Sequence, residues 1–147
     1  MQNCILVGVN INQTSTQFSY QMKELFELCE VCELNGIHTI TQNMKIIHPK
    51  TYVGMGKLNE IKDALSFYES SIVVCNDELT PSQMKHLETA LEATIIDRTY
   101  VILEIFKKRA SSKEAMLQVE LATLQYQLPR LVGLREGLSR QRGTGSS

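Results

Sequence analysis

The chain has 147 residues, of which 43% are hydrophobic and 21% charged, and a formal net charge of −1. That length suits one domain with a real core, and the composition is that of a globular chain rather than a disordered or fibrous one. No apolar run nears the roughly 20 residues of a membrane span, and the stretch from Met1 to Val9 is too short and uncharged for a signal peptide. A cytoplasmic protein without a membrane partner is expected.

The small net charge hides an asymmetry. Residues 1–97 carry six Lys/Arg against twelve Asp/Glu, a net of −6, whereas residues 98–147 carry nine against four, a net of +5. A basic last third on an acidic body points to a polyanion meeting the last third. The competing reading is a solvated helix surface.

The first two thirds alternate strand and helix. Cys4 to Val9 is a short apolar run suited to a strand buried on both faces. Phe18, Met22, Leu25, Phe26, Cys29 and Cys32 then recur at helical spacing, with Glu24, Glu27, Glu30 and Glu33 on the wet side. Cys29 and Cys32 form a C-x-x-C inside this helix with no second pair or histidine nearby, so they read as small buried hydrophobes. His38, His48 and His86 share no ligand spacing, and no metal site is expected. Gly36 reads as the residue that stops the helix, and residues 37–44 as a second strand.

After Pro49 comes TYVGMGKL, residues 51–58, which resembles a phosphate cradle. A P-loop, G-x-x-x-x-G-K-[ST], would place its first glycine at Thr51 and its hydroxyl at Leu58, so the pattern fails. The dinucleotide fingerprint fails as well, because Asn59 stands where the third glycine belongs. Gly54, Gly56 and Lys57 therefore read first as a tight turn into a helix, with backbone angles other residues resist. The second reading is an anion site on the N–H groups of the helix start. That helix covers residues 57–68, with Leu58, Ile61, Ala64 and Leu65 inward. Residues 71–75 form a third buried strand. Thr80-Pro81-Ser82-Gln83 is a helix start with a hydroxyl cap, a proline in the first turn and a glutamine three residues after the cap. The helix runs to Glu92, and residues 94–97 make a fourth strand. Strands separated by helices of this length require a parallel sheet with helices over its faces, an α/β fold.

The last third differs in kind. Residues 99–110 form a short helix with Val101, Ile102, Ile105 and Phe106 apolar, and Ser111-x-x-Glu114 reads as a capping box opening a longer one. Along it Leu117, Leu121, Leu124, Leu128 and Leu131 form a coiled-coil-like seam that needs a partner helix. Ala115, Val119, Ala122 and Tyr126 widen its apolar face. Beyond Val132 the chain is glycine-rich, basic and too short to supply that partner. Three segments follow: an α/β sheet subdomain over 1–97, a helical arm over 98–132 and a glycine-rich basic loop or tail over 133–147.

Six stretches occur in order: residues 51–57, Asn76-Asp-Glu-Leu-Thr-Pro-Ser-Gln83, Ile96-Asp-Arg-Thr99, Ile102-Leu-Glu-Ile-Phe106 with Arg109-Ala110, Gln118-Val-Glu-Leu-Ala122, and Leu128-Pro-Arg-Leu131. Together they resemble the N-terminal domain of the HflX family of translational GTPases. The resemblance implies a four-stranded parallel sheet flanked by helices, followed by the first half of a long antiparallel helical hairpin. It also implies a glycine-rich interhelical loop that reaches toward the peptidyl-transferase region, and Leu138-Ser-Arg-Gln141 matches its start. The chain departs from the family pattern at Arg142, and the GTPase domain, with its GTP and Mg, is absent from it.

Family function implies binding to the 50S subunit and its rRNA, in the splitting or rescue of stalled ribosomes. No catalytic residue and no cofactor is expected in this chain itself. Candidate RNA-binding residues are Arg140, Gln141, Arg142 and Gly143, with Lys107, Lys108, Arg109 and Lys113 at the junction of the two helices. RNA phosphates favour such clustered cations through counterion release. The alternative is a self-associating module, a homodimer through the leucine seam. A small nucleotide-hydrolysing enzyme on the parallel sheet ranks last, because no P-loop, nucleophile–base set or metal cluster accompanies it. Asp97-Arg98 reads as an ion pair or capping feature rather than a catalytic couple.

Overall fold

A computed structural model describes the backbone of residues 1–145 and the side chains of residues 1–131. Two compact units are present, Met1–Ile105 and Phe106–Ser147. The first holds strands β1 (Gln2–Asn10), β2 (Leu34–Asn43), β3 (Ile72–Cys75) and β4 (Thr94–Asp97), with helices α1 (Ser15–Val31), α2 (Met55–Phe67) and α3 (Pro81–Leu91) between them. Helix α4 (Arg98–Arg109) begins in the first unit and ends in the second, which is otherwise helix α5 (Lys113–Gly145). The unit boundary lies inside α4. Val101 and Ile105 bury themselves in the same cluster as Cys4 and Leu6, so the first turns of α4 belong to the sheet.

All strand pairs are parallel, in the order β2-β1-β3-β4. Side chains alternate across the central strand β1. Ile5, Val7 and Val9 enter one cluster with residues of α2 and α3, while Cys4 and Leu6 enter another with α1 and α4. Both faces are thus covered, and β3 is buried at all four positions, which explains its unbroken apolar run. The cysteines fit this packing: Cys4, Cys29 and Cys75 are buried free thiols.

Caps are local and follow the sequence closely. The Thr80 hydroxyl accepts from the Gln83 N–H at 3.0 Å while the Gln83 side chain accepts from the Thr80 N–H at 3.0 Å. The same reciprocal box opens α1 between Thr14 and Gln17. At α5 the cap differs from expectation: Ser112, not Ser111, accepts from the Ala115 N–H at 3.1 Å. A cap hydroxyl reaches an orphan N–H two or three residues on, and the first turn here starts one residue later than Glu114 suggested.

Two glycine expectations are corrected. Gly36 does not end α1; it lies in β2, and Glu33 takes the left-handed turn at φ 61° instead. A Cβ at Gly36 would stand 2.7 Å from Leu6 Cδ1 and 3.0 Å from Phe26 Cδ2, so close packing against α1 demands the bare backbone. Helix α5 also continues through Pro129 to Gly145, where the sequence reading ends it at Val132. Interior glycine costs a helix about 1 kcal/mol relative to alanine but does not forbid it.

Candidate functional site

The TYVGMGK segment is built into the core. Tyr52 is the residue in the left-handed region, at φ 65°, and no described glycine has positive φ, so the expected glycine turn is not how the chain bends here. His48 and Tyr52 exchange backbone hydrogen bonds at 3.1 and 3.3 Å, and the His48 carbonyl also accepts from Gln83 Nε2 at 2.9 Å. The buried Tyr52 hydroxyl donates to Asp77. Burial, followed by the nearby Cys75 and Asp77, pushes the Tyr52 phenol well above its ordinary range. Gly54 is the N-cap of α2, and its N–H donates to Gln42 Oε1 at 2.9 Å. Gly56 sits in open space, and Lys57 reaches Glu60 at 3.0 Å. The motif therefore joins the starts of α2 and α3 to the strand ends, and these contacts use the Gly54 N–H that an anion would need.

A second set of polar groups gathers where β3 and β4 end, and sequence reasoning found it only in part. Asp97 is fully buried, and its carboxylate accepts from the N–H of Leu79 at 2.9 Å and of Tyr100 at 3.0 Å. It caps α4 and fixes the loop before α3, so the capping reading holds. The ion pair does not join Asp97 to Arg98. Arg98 instead pairs with Glu24 of α1 and donates to Asn76 Oδ1 at 2.8 Å. Burial lowers the Arg98 pKa from its usual value. Asn76 and Arg98 carry a signal in sequence as parts of motifs, but the Arg98 partner Glu24 lies too far along the chain for spacing to reveal it. Every group in this set is committed to another, and among the described residues no cluster of His, Cys, Asp or Glu could hold a metal ion.

The second unit is different. Lys107, Lys108 and Arg109 occupy the last turn of α4, where cations also complement the helix C-terminus, and all three are exposed. Lys113 opens α5, again exposed. Four cations therefore stand within seven residues. Just beyond, a groove of about 290 Å³ is lined by Lys107, Ala110, Met116, Val119, Thr123 and Leu124 among others. On α5 the covered side is formed by Thr123 and Tyr126, with Ala115, Val119 and Ala122 half-buried. Arg130 lies 3.8 Å from the Tyr126 ring centroid. The leucine seam points elsewhere: Leu117, Leu121, Leu124, Leu128 and Leu131 are 64, 58, 45, 53 and 56% exposed. Phe106, expected inward, is also exposed, and Leu103 takes the buried place on α4. The side chains of Arg140, Gln141 and Arg142, and the surroundings of Gly143, lie outside the described residues. No described helix is long and apolar enough to cross a membrane.

Comparison with known proteins agrees with this architecture. Residues 19–107 match the family model for the GTP-binding GTPase N-terminal region, and residues 109–147 that for the GTP-binding GTPase middle region. The chain is 51% identical over 142 residues to GTPase HflX of Caldanaerobacter subterraneus subsp. tengcongensis, covering 97% of this chain and 32% of that protein. It is 47% identical over 122 residues to GTPase HflX of Lacrimispora saccharolytica, covering 83% and 29%. The fold is similar to that of a GTP-binding protein from Sulfolobus solfataricus in complex with GDP, with a TM-score of 0.63 and 25% identity over 99% of this chain and 43% of that one. The chain spans about a third of the length of the curated relatives it matches. It belongs to the HflX family of GTP-binding proteins, within which it corresponds to the N-terminal and middle regions.

Proposed function

We propose that this chain is the ribosome-contacting part of an HflX-type GTPase, binding the rRNA of the 50S subunit while GTP and Mg are handled by other parts of the family protein. The observation that carries the reading is the exposed run Lys107, Lys108 and Arg109 with Lys113, set on an otherwise acidic chain. Arg140, Gln141, Arg142 and Gly143 extend the same basic character along α5 in sequence. Phosphate contacts supply affinity without reading sequence, so shape and charge would govern the docking. Splitting or rescue of stalled ribosomes is the cellular role this binding would serve.

Co-sedimentation with 50S subunits tests it. Binding should weaken steeply as salt rises, and Lys107→Glu with Lys108→Glu should reduce both affinity and its salt slope. Salt-insensitive binding, or none where a full-length relative binds, would remove the proposal for this chain. A second reading rests on the exposed leucines of α5: an apolar strip of that length suits a partner helix, supplied by a longer protein or by a second copy. Leu121→Lys with Leu128→Lys would abolish such pairing and leave the sheet unit folded.

A further inference from the structure

We propose that a polar pocket at the carboxyl ends of β1 and β2 binds one sugar-phosphate unit, with Lys45 on the phosphate and Asn12, Ser15 and Asn43 on the sugar hydroxyls. Open parallel sheets place ligands beyond the carboxyl ends of their strands, commonly where the strand order reverses. Here the order reverses between β1 and β3, and the chain's own hydrogen bonds bridge that crevice. The Asn76 N–H donates to the Val7 carbonyl at 2.8 Å, its Nδ2 donates to Gln21 Oε1 at 3.4 Å, and its Oδ1 accepts from Arg98 at 2.8 Å. Room lies one strand over. A pocket of about 420 Å³ opens between the segments that leave β1 and β2. Small-molecule sites span roughly 300–1,000 Å³.

The backbone fixes the pocket, and its side chains are available. Strands β1 and β2 pair to their last residues, Asn10 beside Asn43, and the Met44 N–H donates to the Asn10 carbonyl at 3.0 Å. The Asn10 side chain braces the next turn: its Nδ2 donates to the Gln13 carbonyl at 3.2 Å and its Oδ1 accepts from the Gln13 N–H at 3.0 Å. Asn10 is therefore wall. Among the described residues, the side chains of Asn12, Ser15, Asn43 and Lys45 have no hydrogen-bond or ion-pair partner, and all four line the pocket. They are exposed, so a ligand reaches them without displacing any packed group. The polar set around Asn76 and Asp97 is the opposite case, since its groups are committed to one another.

Charge and hydrogen-bonding chemistry name the ligand. Residues 1–23 and 34–59 contain every residue that lines the pocket. They carry Lys23, Lys45, Lys50 and Lys57 and no Asp or Glu, although residues 1–97 have a net charge of −6. Along α1 the first acid is Glu24, nine residues after Ser15. That is roughly 14 Å of helix, beyond the Debye length of about 8 Å at physiological salt. The lining favours an anion. Lys57 is paired with Glu60, and Lys45 is the lining cation. A carboxamide both donates and accepts, so two of them with a serine hydroxyl match the neighbouring hydroxyls of a sugar. The described lining holds no aromatic ring on which a nucleobase could stack, so recognition rests on sugar and phosphate.

Amide NMR of the isotopically labelled 147-residue chain tests the proposal, with ribose 5-phosphate as the probe. The backbone signals of residues 10–15 and 43–45, and the side-chain amides of Asn12 and Asn43, should shift together and saturate in the millimolar range. Ribose and inorganic phosphate should each bind about tenfold more weakly, because each engages half of the site. Lys45→Glu should weaken ribose 5-phosphate about tenfold or more. Asn12→Gly, which suits the φ of 59° there, combined with Asn43→Ala should weaken ribose 5-phosphate and leave inorganic phosphate unchanged. Lys107→Glu with Lys108→Glu should change neither, and circular dichroism establishes that each variant keeps the fold. A short oligouridylate identifies the source. If it shifts the same signals at lower concentration, the unit is taken from an RNA strand; if ribose 5-phosphate binds as well or better, it is taken as a free sugar phosphate. No saturable shift at these signals overturns the proposal. So does equal affinity for inorganic phosphate and ribose 5-phosphate, or binding that Lys45→Glu leaves intact.

Discussion

Two glycines give opposite predictions under one substitution, and the contrast tests how the sheet and α1 come together. At Gly36 a methyl group would enter occupied space, 2.7 Å from Leu6 Cδ1, 2.9 Å from Leu6 Cγ and 3.0 Å from Phe26 Cδ2. Leu6 is fully buried in the α1-side cluster, so it cannot retreat without displacing its neighbours. Overpacking of that kind costs about 1–3 kcal/mol, and Gly36→Ala should fall near 2. At Gly56, in the first turn of α2, nothing lies within 4 Å of the added carbon and φ is not positive. Gly56→Ala should therefore stabilise by about 0.5 kcal/mol through helix propensity and a less flexible unfolded chain. Urea denaturation at neutral pH measures both, provided the slope with denaturant is unchanged. A neutral Gly36→Ala would mean that α1 does not press on β2 as described. A destabilising Gly56→Ala would show that Gly56 is required for something beyond helix geometry.

Three further outcomes follow from the polar groups. Thr80→Ala removes one half of a reciprocal cap and should cost about 1 kcal/mol in the same denaturation experiment, with Thr80→Ser close to neutral. Arg98→Ala leaves the nearly buried Asn76 carbonyl oxygen without its donor and should cost about 1 kcal/mol, largely insensitive to salt; a cost that vanishes at high salt would assign it to the half-exposed Glu24 pair instead. Burial raises the pKa of both Cys75 and Tyr52 above their ordinary 9.0 and 10.0. The folded state thus holds both protons more tightly than the unfolded state. Their contribution is complete below those ordinary values and drains as pH rises past them, by about 1.4 kcal/mol per pH unit for each group. The urea midpoint should drop steeply above about pH 9, and Tyr52→Phe should shallow the drop beyond about pH 10; a flat alkaline profile would contradict the burial of both groups.

What the sequence reveals and what it conceals follow from the range of the interactions involved. The Thr80–Gln83 box acts over three residues, and the inward residues of α2 over seven, so both are legible in a single chain. Patterning likewise finds all four strands: burial on both faces leaves β1 and β3 as apolar runs, and β2, with one open side, shows as an alternation of polar and apolar residues. The Ser112 cap was missed by one residue for the opposite reason: two adjacent serines offer the same chemistry, and tertiary packing decides where the first turn begins. Gly36 was misread because a glycine after a helix usually relieves the backbone. Here the constraint comes from Leu6, thirty residues away, and the backbone strain falls on Glu33. The same applies to residues 51–57, where the glycines read as the site of a tight turn while the left-handed residue is Tyr52. Its ring is buried and its hydroxyl is held by Asp77, so long-range packing supplies what glycine would have given locally.

Strand order is the property least accessible to local reasoning, and it carries functional weight. The unbroken apolar run of β1 against the alternation of β2 marks β1 as the more deeply covered strand, but neither pattern says which strands flank it. Placement of β1 in the middle makes it apolar on both faces, while β2 keeps a threonine-bearing side in solvent. An edge strand with threonines on its open face and no lysine within it is a poor defence against pairing. The sheet unit therefore presents an uncharged polar edge, and the second unit an exposed row of leucines beside a cluster of cations. These surfaces differ enough in chemistry to be disabled one at a time. Leu121→Lys with Leu128→Lys should spare ribosome pelleting, and Lys107→Glu with Lys108→Glu should spare pairing through the leucines. If either variant abolished both, the two surfaces could not be acting independently, and the assignment of RNA contact to the α4–α5 junction would have to be abandoned.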